Sequence, residues 1–250
     1  YIKSDLADYQ KCEEICKNQD LIFMCAANSS GAEVIQNNPL AHFEPNLIMN
    51  MNMLRAAHHN KVKKYIFISS NTVYPVTDFP VKEEDVNNEY FEKYHIVGWM
   101  KRFAEISCEI YSNRVSDKTS TLIIRPGNLY GPHDKFDPSK SKVIPSLIRK
   151  IANNEFPLEV WGDGKDIKDF IFIDDFIEGL LIATEKSKFF DIFNICNGQS
   201  VTIKDVINNL LEIEGKIDMR IDYDSTKPTM IPIRLISAEK AKNEIGFISK

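Results

Sequence analysis

The residues able to do thiol, metal or phosphate chemistry are few, and their spacing already excludes several kinds of site. The five cysteines, Cys12, Cys16, Cys25, Cys108 and Cys196, are odd in number and scattered. That is not a disulfide framework, and it fits a reducing cytoplasm. Cys12 and Cys16 stand at i, i+4, but none of the five histidines (His42, His58, His59, His95, His133) has ligand spacing to them. No metal site is expected, and the cysteines read as apolar packing. No three of the ten glycines form Gly-x-Gly-x-x-Gly or Gly-x-x-Gly-x-x-Gly, so the residues present lack a complete phosphate-cradling turn for a dinucleotide.

The elements that must carry any site follow from the hydrophobic pattern. The 250 residues carry 31 Lys+Arg against 36 Asp+Glu, a net charge of −5, and are 43% apolar, the profile of an ordinary globular domain. A mildly acidic chain with only short basic runs is a poor binder of nucleic acid. No apolar stretch is long enough to span a membrane, and the first residues lack the basic-then-apolar order of a secretory signal. Continuous apolar runs at 21–27, 63–70 and 121–126 read as buried parallel strands, and helical spacing fills 40–60 and 92–113 between them. Beyond Pro132, a polar loop leads to a helix over 143–153 and a short strand ending at Val160. A strand over 170–173 then runs into an acidic-capped helix over 174–186. A strand, turn and helix follow over 193–211, with Thr202 as its cap and Asp205 three residues on. This order predicts an α/β fold, a doubly wound parallel sheet with a smaller α/β lobe. The expected division is 1–130 for the sheet domain and 131–250 for the lobe, with 168–192 returning to the sheet.

In such sheets the phosphate-binding turn follows the first, central strand. The opening YIKSDLADYQ reads instead as a sheet edge with no strand before it. The expectation is that about 50–60 further residues lie upstream of Tyr1, the size of the missing βαβ part, in a chain running past ~300 residues. The glycine count then marks a truncation rather than the absence of a cofactor. The 250 residues alone are expected to bind a dinucleotide weakly or not at all.

An ordered series of motifs resembles the extended short-chain dehydrogenase/reductases that act on nucleotide sugars, most closely the GDP-fucose synthases. The motifs are SDLAD (4–8), CAAN (25–28), Asn46, SSNTVYP (69–75), RPGNLYGPHDKFDPSKSKVIPSLIRK (125–150), VWGDGKDIKDFIFIDD (160–175), NICNGQSVTIKDV (194–206) and DSTKPTMIPIRLI (224–236). The resemblance implies a Rossmann-like fold, NAD or NADP as cofactor and a nucleotide-sugar substrate. It also implies hydride exchange at the sugar C4. Ser70 matches the family's catalytic serine. Lys101 matches the lysine that binds the nicotinamide ribose and lowers the pKa of a catalytic tyrosine. Asp5 matches a residue contacting adenine, and Ala26, Ala27 and Asn28 the backbone passing the nicotinamide-side ribose. Asn46 is expected to order a backbone bend or a water. Asn128, Trp161, Lys168 and Arg234 match positions facing the sugar nucleotide. Lys168 stands in place of an arginine, which loses bidentate phosphate recognition but keeps the charge.

Three departures bear on the reaction. The family tyrosine is replaced by Val97, four residues before Lys101. Tyr94 lies one turn too far along a regular helix, ~10 Å from Lys101 in rise, and can substitute only if the helix start is irregular. The cysteine and histidine that exchange protons in double epimerisation are replaced by Thr72 and Lys142, both poor bases. The Asp-Glu pair of the 4,6-dehydratases is replaced by Asn71 and Thr72, which do not titrate. Two readings therefore stand: a nucleotide-sugar oxidoreductase or epimerase whose proton donor is Tyr94 or a water, or a degenerate relative that binds a nucleotide sugar or a partner subunit without turnover. A purely structural α/β domain explains none of the motifs. The resemblance also implies a homodimer through 40–60 and 92–113, with Leu47, Met51 and Leu54 as a candidate apolar stripe.

Overall fold

The computed structural model describes residues 1–28, 38–138, 140–227 and 231–250. Ser139 and residues 228–230, which belong to two of the motifs above, lie outside the described residues. The main sheet holds β1 (Leu21–Met24), β2 (Lys64–Ile68), β3 (Thr121–Pro126) and β7 (Phe190–Ile195), in that spatial order and all parallel. The central β3 is buried at every residue, as a strand covered on both faces must be.

Three helices cover one face: α1 (Tyr9–Cys16), α2 (Pro39–His59) and α3 (His95–Asn113). Their core joins Cys12, Cys16, Met53, Leu54, Ala104 and Cys108 to Tyr65, Phe67 and Ile123 of the sheet. On the other face α5 (Ile173–Lys186) buries Phe176, Leu180 and Ala183 against Ile66, Leu122, Ile124 and Phe193, and the C-terminal Ile245 and Phe247 close that layer. The Rossmann-like α/β expectation is met, with β7 and α5 returning to the main sheet after the chain has left it.

Beyond β3 the chain builds two smaller sheets. In one, β4 (Asn128–Tyr130) pairs parallel with β6 (Ile167–Phe172), which pairs antiparallel with β8 (Ser200–Thr202). In the other, β5 (Leu158–Trp161) pairs parallel with β9 (Ile221–Asp224). Helices α4 (Val143–Ala152) and α6 (Ile203–Ile213) share a separate core through Leu147, Ile151, Ile207 and Leu211. The Thr202–Asp205 capping box forms as its spacing predicts.

Two expectations change. Residues 1–8 form no strand. Instead Asp8 caps α1, its carboxylate accepting from the amides of Gln10 and Lys11, so the segment starts a helix because an Asp precedes it. In the apolar stripe, Leu54 is buried in the core and Leu47 packs beside Val97. Among the described residues, the large apolar side chains left exposed on the two long helices are Leu40 and Ile48 on α2 and Trp99, Phe103 and Ile110 on α3.

Candidate active site

Because β1, β2 and β3 are parallel, their carboxyl ends share one edge. The segments leaving that edge are 25–28, 69–74 and 127–130, which carry Ala26, Ala27 and Asn28, then Ser70 and Thr72, then Asn128. In open α/β sheets this is the edge where ligands bind.

The first segment is held by two neighbouring features of α2, a helix irregularity at Pro45 and the side chain of Asn46. Pro45 lies inside α2, and having no N–H it leaves the carbonyl of Ala41 without its helical donor. Asn28 Nδ2 donates to that carbonyl at 3.1 Å. Asn46 then grips the Asn28 backbone from both sides, accepting from its N–H at 2.9 Å and donating to its carbonyl at 3.0 Å. Asn46 therefore orders a backbone bend. Ala26, Ala27 and Asn28 stay exposed, and the exposed Asp5 accepts from the amide of Ala7.

Ser70 caps a single 3-10 turn, Asn71–Val73, and its half-buried Oγ accepts from Thr72 N–H at 3.2 Å and Thr72 Oγ1 at 3.0 Å. Lys101 reaches the same strand end from α3. Its Nζ donates to the Ile68 carbonyl at 2.8 Å and lies 4.9 Å from the centre of the Phe67 ring. Burial pulls the ammonium down to about 8, while Glu105 and Cys25 oppose that shift. Among the described residues one of its three donors is used, which leaves two for a ligand.

That half-buried cation has a cost. Below pH 8 Lys101 is charged in both folded and unfolded chains and the folded state bears the full penalty. Between about pH 8 and 10.5 the folded chain releases the proton first and stability recovers. Lys101→Met is therefore expected to raise the unfolding free energy at pH 7 by about 1–2 kcal/mol, the desolvation gain less one lost hydrogen bond. Urea titrations at pH 7 and pH 10 should show the gain shrinking at the higher pH, and a gain independent of pH contradicts the assignment.

The turn before Lys101 is apolar. Val97 is 8% exposed and, with Met100, packs against Phe43, Leu47 and Tyr94. The helix start is irregular: Glu92–Tyr94 is a 3-10 turn, and Tyr94 is the residue before the first α-helical turn. Its ring joins the apolar cluster, and burial pushes its hydroxyl above the ordinary range. The next residue, Gly98, is required by contact: a Cβ there would lie 2.5 Å from the Tyr90 ring and 3.0 Å from the Thr72 carbonyl.

The residues matched to the sugar nucleotide are spread over three places. Asn128 Nδ2 donates to the Asp169 carbonyl at 2.9 Å. Lys168, on β6, ion-pairs with Asp166 at 3.1 Å and donates to the Ile231 carbonyl, and burial holds its ammonium below the usual value. Trp161 ends β5, 54% exposed, with the Lys227 ammonium 5.7 Å from its ring centre. Lys142 is exposed at the start of α4. Arg234 is only 2% exposed and its guanidinium donates to the carbonyls of Pro75 and Tyr74. Burial lowers it to about 10, so its bonds tie the lobe to the turn after Ser70.

Two buried acids escape a reading of spacing alone. Asp169 accepts from the amides of Asn197 at 3.0 Å and Gly198 at 2.7 Å, and burial pushes it up to about 6. A Cβ at Gly127 would meet its Oδ1 at 2.6 Å, which is the one local signal for it. Glu105 is wholly buried and accepts from Arg125 Nε and Nη2, both at 2.8 Å. Its signal was the helix position one turn after Lys101, facing a strand arginine.

A parallel sheet with a polar carboxyl edge and a second lobe is a Rossmann-like, dinucleotide-binding type of fold. The comparisons place the chain within it. The NAD dependent epimerase/dehydratase family model matches residues 1–196, and the chain belongs to that family. It is 27% identical over 241 residues to GDP-L-fucose synthase 1 of Arabidopsis thaliana, covering 92% of this chain and 72% of that protein. GDP-L-fucose synthase of Escherichia coli is 27% identical over 243 residues, covering 91% of this chain and 74% of the other. Among solved structures, the UDP-N-acetylglucosamine 4-epimerase of Methanobrevibacter ruminantium superposes with a TM-score of 0.87 at 26% identity, over all of this chain and 77% of that one. Among the described residues, no helix is long and apolar enough to cross a membrane, and no group of three or more His, Cys, Asp or Glu could hold a metal ion.

Proposed function

We propose that the chain is an NAD(P)-dependent nucleotide-sugar oxidoreductase or epimerase acting at the sugar C4 of a GDP- or UDP-linked sugar. The observation that carries this reading is the convergence of Ser70 and Lys101 on the carboxyl end of β2, beside the exposed backbone of 26–28. A nicotinamide dinucleotide fits these residues: Lys101 has two spare donors, and the 26–28 backbone is bent open and accessible. Asp5, Ala26, Ala27, Asn28 and Lys101 would hold it, and when bound it supplies hydride transfer.

This chain's residues then do three things. Ser70 Oγ donates to the sugar oxygen, polarising the C4 bond. Thr72, bonded to Ser70, fixes the direction of that hydroxyl. Lys101 holds the ribose and keeps positive charge beside the developing negative oxygen. Asn128, Lys142, Trp161, Lys168 and Arg234 are proposed for the sugar-nucleotide side, Arg234 by holding the turn after Ser70 in place. The proton at the sugar oxygen passes through Tyr94 or a water.

The test is a titration of the full-length protein with NADH and NADPH, followed by absorbance near 340 nm in the presence of GDP- and UDP-hexoses. Neither binding nor an absorbance change with any sugar rejects the proposal. A second reading, binding without turnover, is favoured by one observation: the turn that should carry the tyrosine is filled by Val97 and its apolar neighbours.

We also propose a homodimer through the outer faces of α2 and α3. Ile48, Trp99, Phe103 and Ile110 leave an apolar surface on those helices, and such surfaces mark interfaces. Phe103 is 47% exposed, so Phe103→Asp is expected to give a folded monomer in sedimentation analysis. A wild-type monomer at micromolar concentration contradicts the dimer.

A further inference from the structure

Ser69, the residue before the proposed catalytic serine, is buried and donates its Oγ to Glu105 Oε1 at 2.5 Å. Glu105 stands four residues after Lys101, on the same face of α3. Two side chains one turn apart thus grip successive residues of the strand end: Lys101 holds the Ile68 carbonyl and Glu105 holds Ser69. Ser70 comes next, and among the described residues its side chain is hydrogen-bonded to Thr72 alone. The Glu105 carboxylate has four donors on its two oxygens, from Ser69, Arg102 at 3.2 Å and Arg125 twice. Arg125 is anchored in turn, through Nη1, to Tyr74 Oη at 2.9 Å and the Glu83 carbonyl at 2.8 Å. Tyr74 closes the same turn from its far end, donating to Asn194 Oδ1 at 2.6 Å.

We propose that Glu105 is a positioning residue of the site: through Ser69 on one side and Arg125–Tyr74 on the other, it holds both ends of the 69–74 turn so that Ser70 stays fixed relative to Lys101. A salt bridge serving stability alone has no need of Ser69, because Arg125 and Arg102 already pair both carboxylate oxygens. The Ser69 bond is what turns a buried ion pair into a clamp on the segment bearing Ser70. The inference rests on the proposed function only for its catalytic consequence, since the clamp itself is independent of it.

Ser69→Ala removes that bond and leaves Glu105 and Arg125 paired. Two measurements on the full-length protein are needed. In amide hydrogen exchange, Thr72, Val73 and Tyr74 are expected to exchange about tenfold faster, while β3 and the middle of α3 keep their protection. In turnover, kcat is expected to fall about tenfold with KM for the sugar nucleotide unchanged, the signature of a misplaced group rather than weaker binding. Unchanged exchange over 72–74 overturns the inference, and so does an unchanged kcat in an active protein. An inactive wild-type protein defeats the proposed activity instead, and the exchange measurement then decides the clamp by itself.

Discussion

Val97→Tyr is expected to raise turnover by about 10²–10⁴-fold, the range assigned to a positioned general acid or base. Val97 lies one helical turn before Lys101, ~6 Å in rise, so a phenol there would come within the field of the Lys101 ammonium and have its pKa lowered. In the cluster around Val97, the one residue with a hydroxyl is Tyr94, whose ring is packed among Phe43, Leu47, Val97 and Met100. The same cluster sets the difficulty of the experiment. A tyrosine in place of a buried valine overpacks the site at a cost of about 1–3 kcal/mol. Val97→Tyr with Tyr94→Ala clears that volume and should show the gain with less loss of stability. Steady-state assays with the sugar nucleotide read the outcome. Loss of an existing activity would show that Val97 belongs to a working variant site, and the missing tyrosine would then be no defect.

Glu105→Gln is expected to lower the unfolding free energy by about 3–5 kcal/mol, among the largest losses a single substitution in this chain can cause. The neutral side chain deprives the Arg125 guanidinium, 1% exposed, of its ion-pair partner. Arg125 cannot lose its proton to escape, because its guanidinium stays charged at any accessible pH. The double substitution Glu105→Leu with Arg125→Met should recover most of the loss, since apolar replacements of a buried pair remove both desolvation costs together. Urea unfolding of the two single variants and the double variant gives the coupling energy. Additive losses would mean that the pair is not coupled as the geometry requires.

How much of this could be read before the coordinates depended on range. The strands expected over 63–70 and 121–126 form at 64–68 and 121–126, and the helices expected over 40–60, 143–153 and 174–186 form at 39–59, 143–152 and 173–186. The run at 21–27, expected as a buried strand, is a strand only over 21–24 and buries only Met24 of it. Ser70 and Lys101 were picked out by the resemblance of their motifs, and both lie at the carboxyl end of β2. Arg234 was not: its bonds go to Tyr74 and Pro75, some 160 residues away, and no spacing encodes that. The role of Pro45 was equally hidden. A proline in a helix signals a freed carbonyl, but only the fold supplies Asn28 as the donor. Spacing alone leaves the stripe Leu47, Met51 and Leu54 open between a dimer seam and the core, because periodicity does not say which face a neighbour covers; the structure puts Leu54 in the core.

The carboxyl edge of this sheet is proposed to hold a nicotinamide dinucleotide through Lys101 and the 26–28 backbone. Fluorescence titration of the full-length protein with NADH and NADPH, beside the Lys101→Met variant, tests it most directly. Saturable binding of at least one of the two is expected, weakened about tenfold or more in a variant that remains folded. Binding that Lys101→Met leaves untouched, or no binding by the wild-type protein, would contradict it.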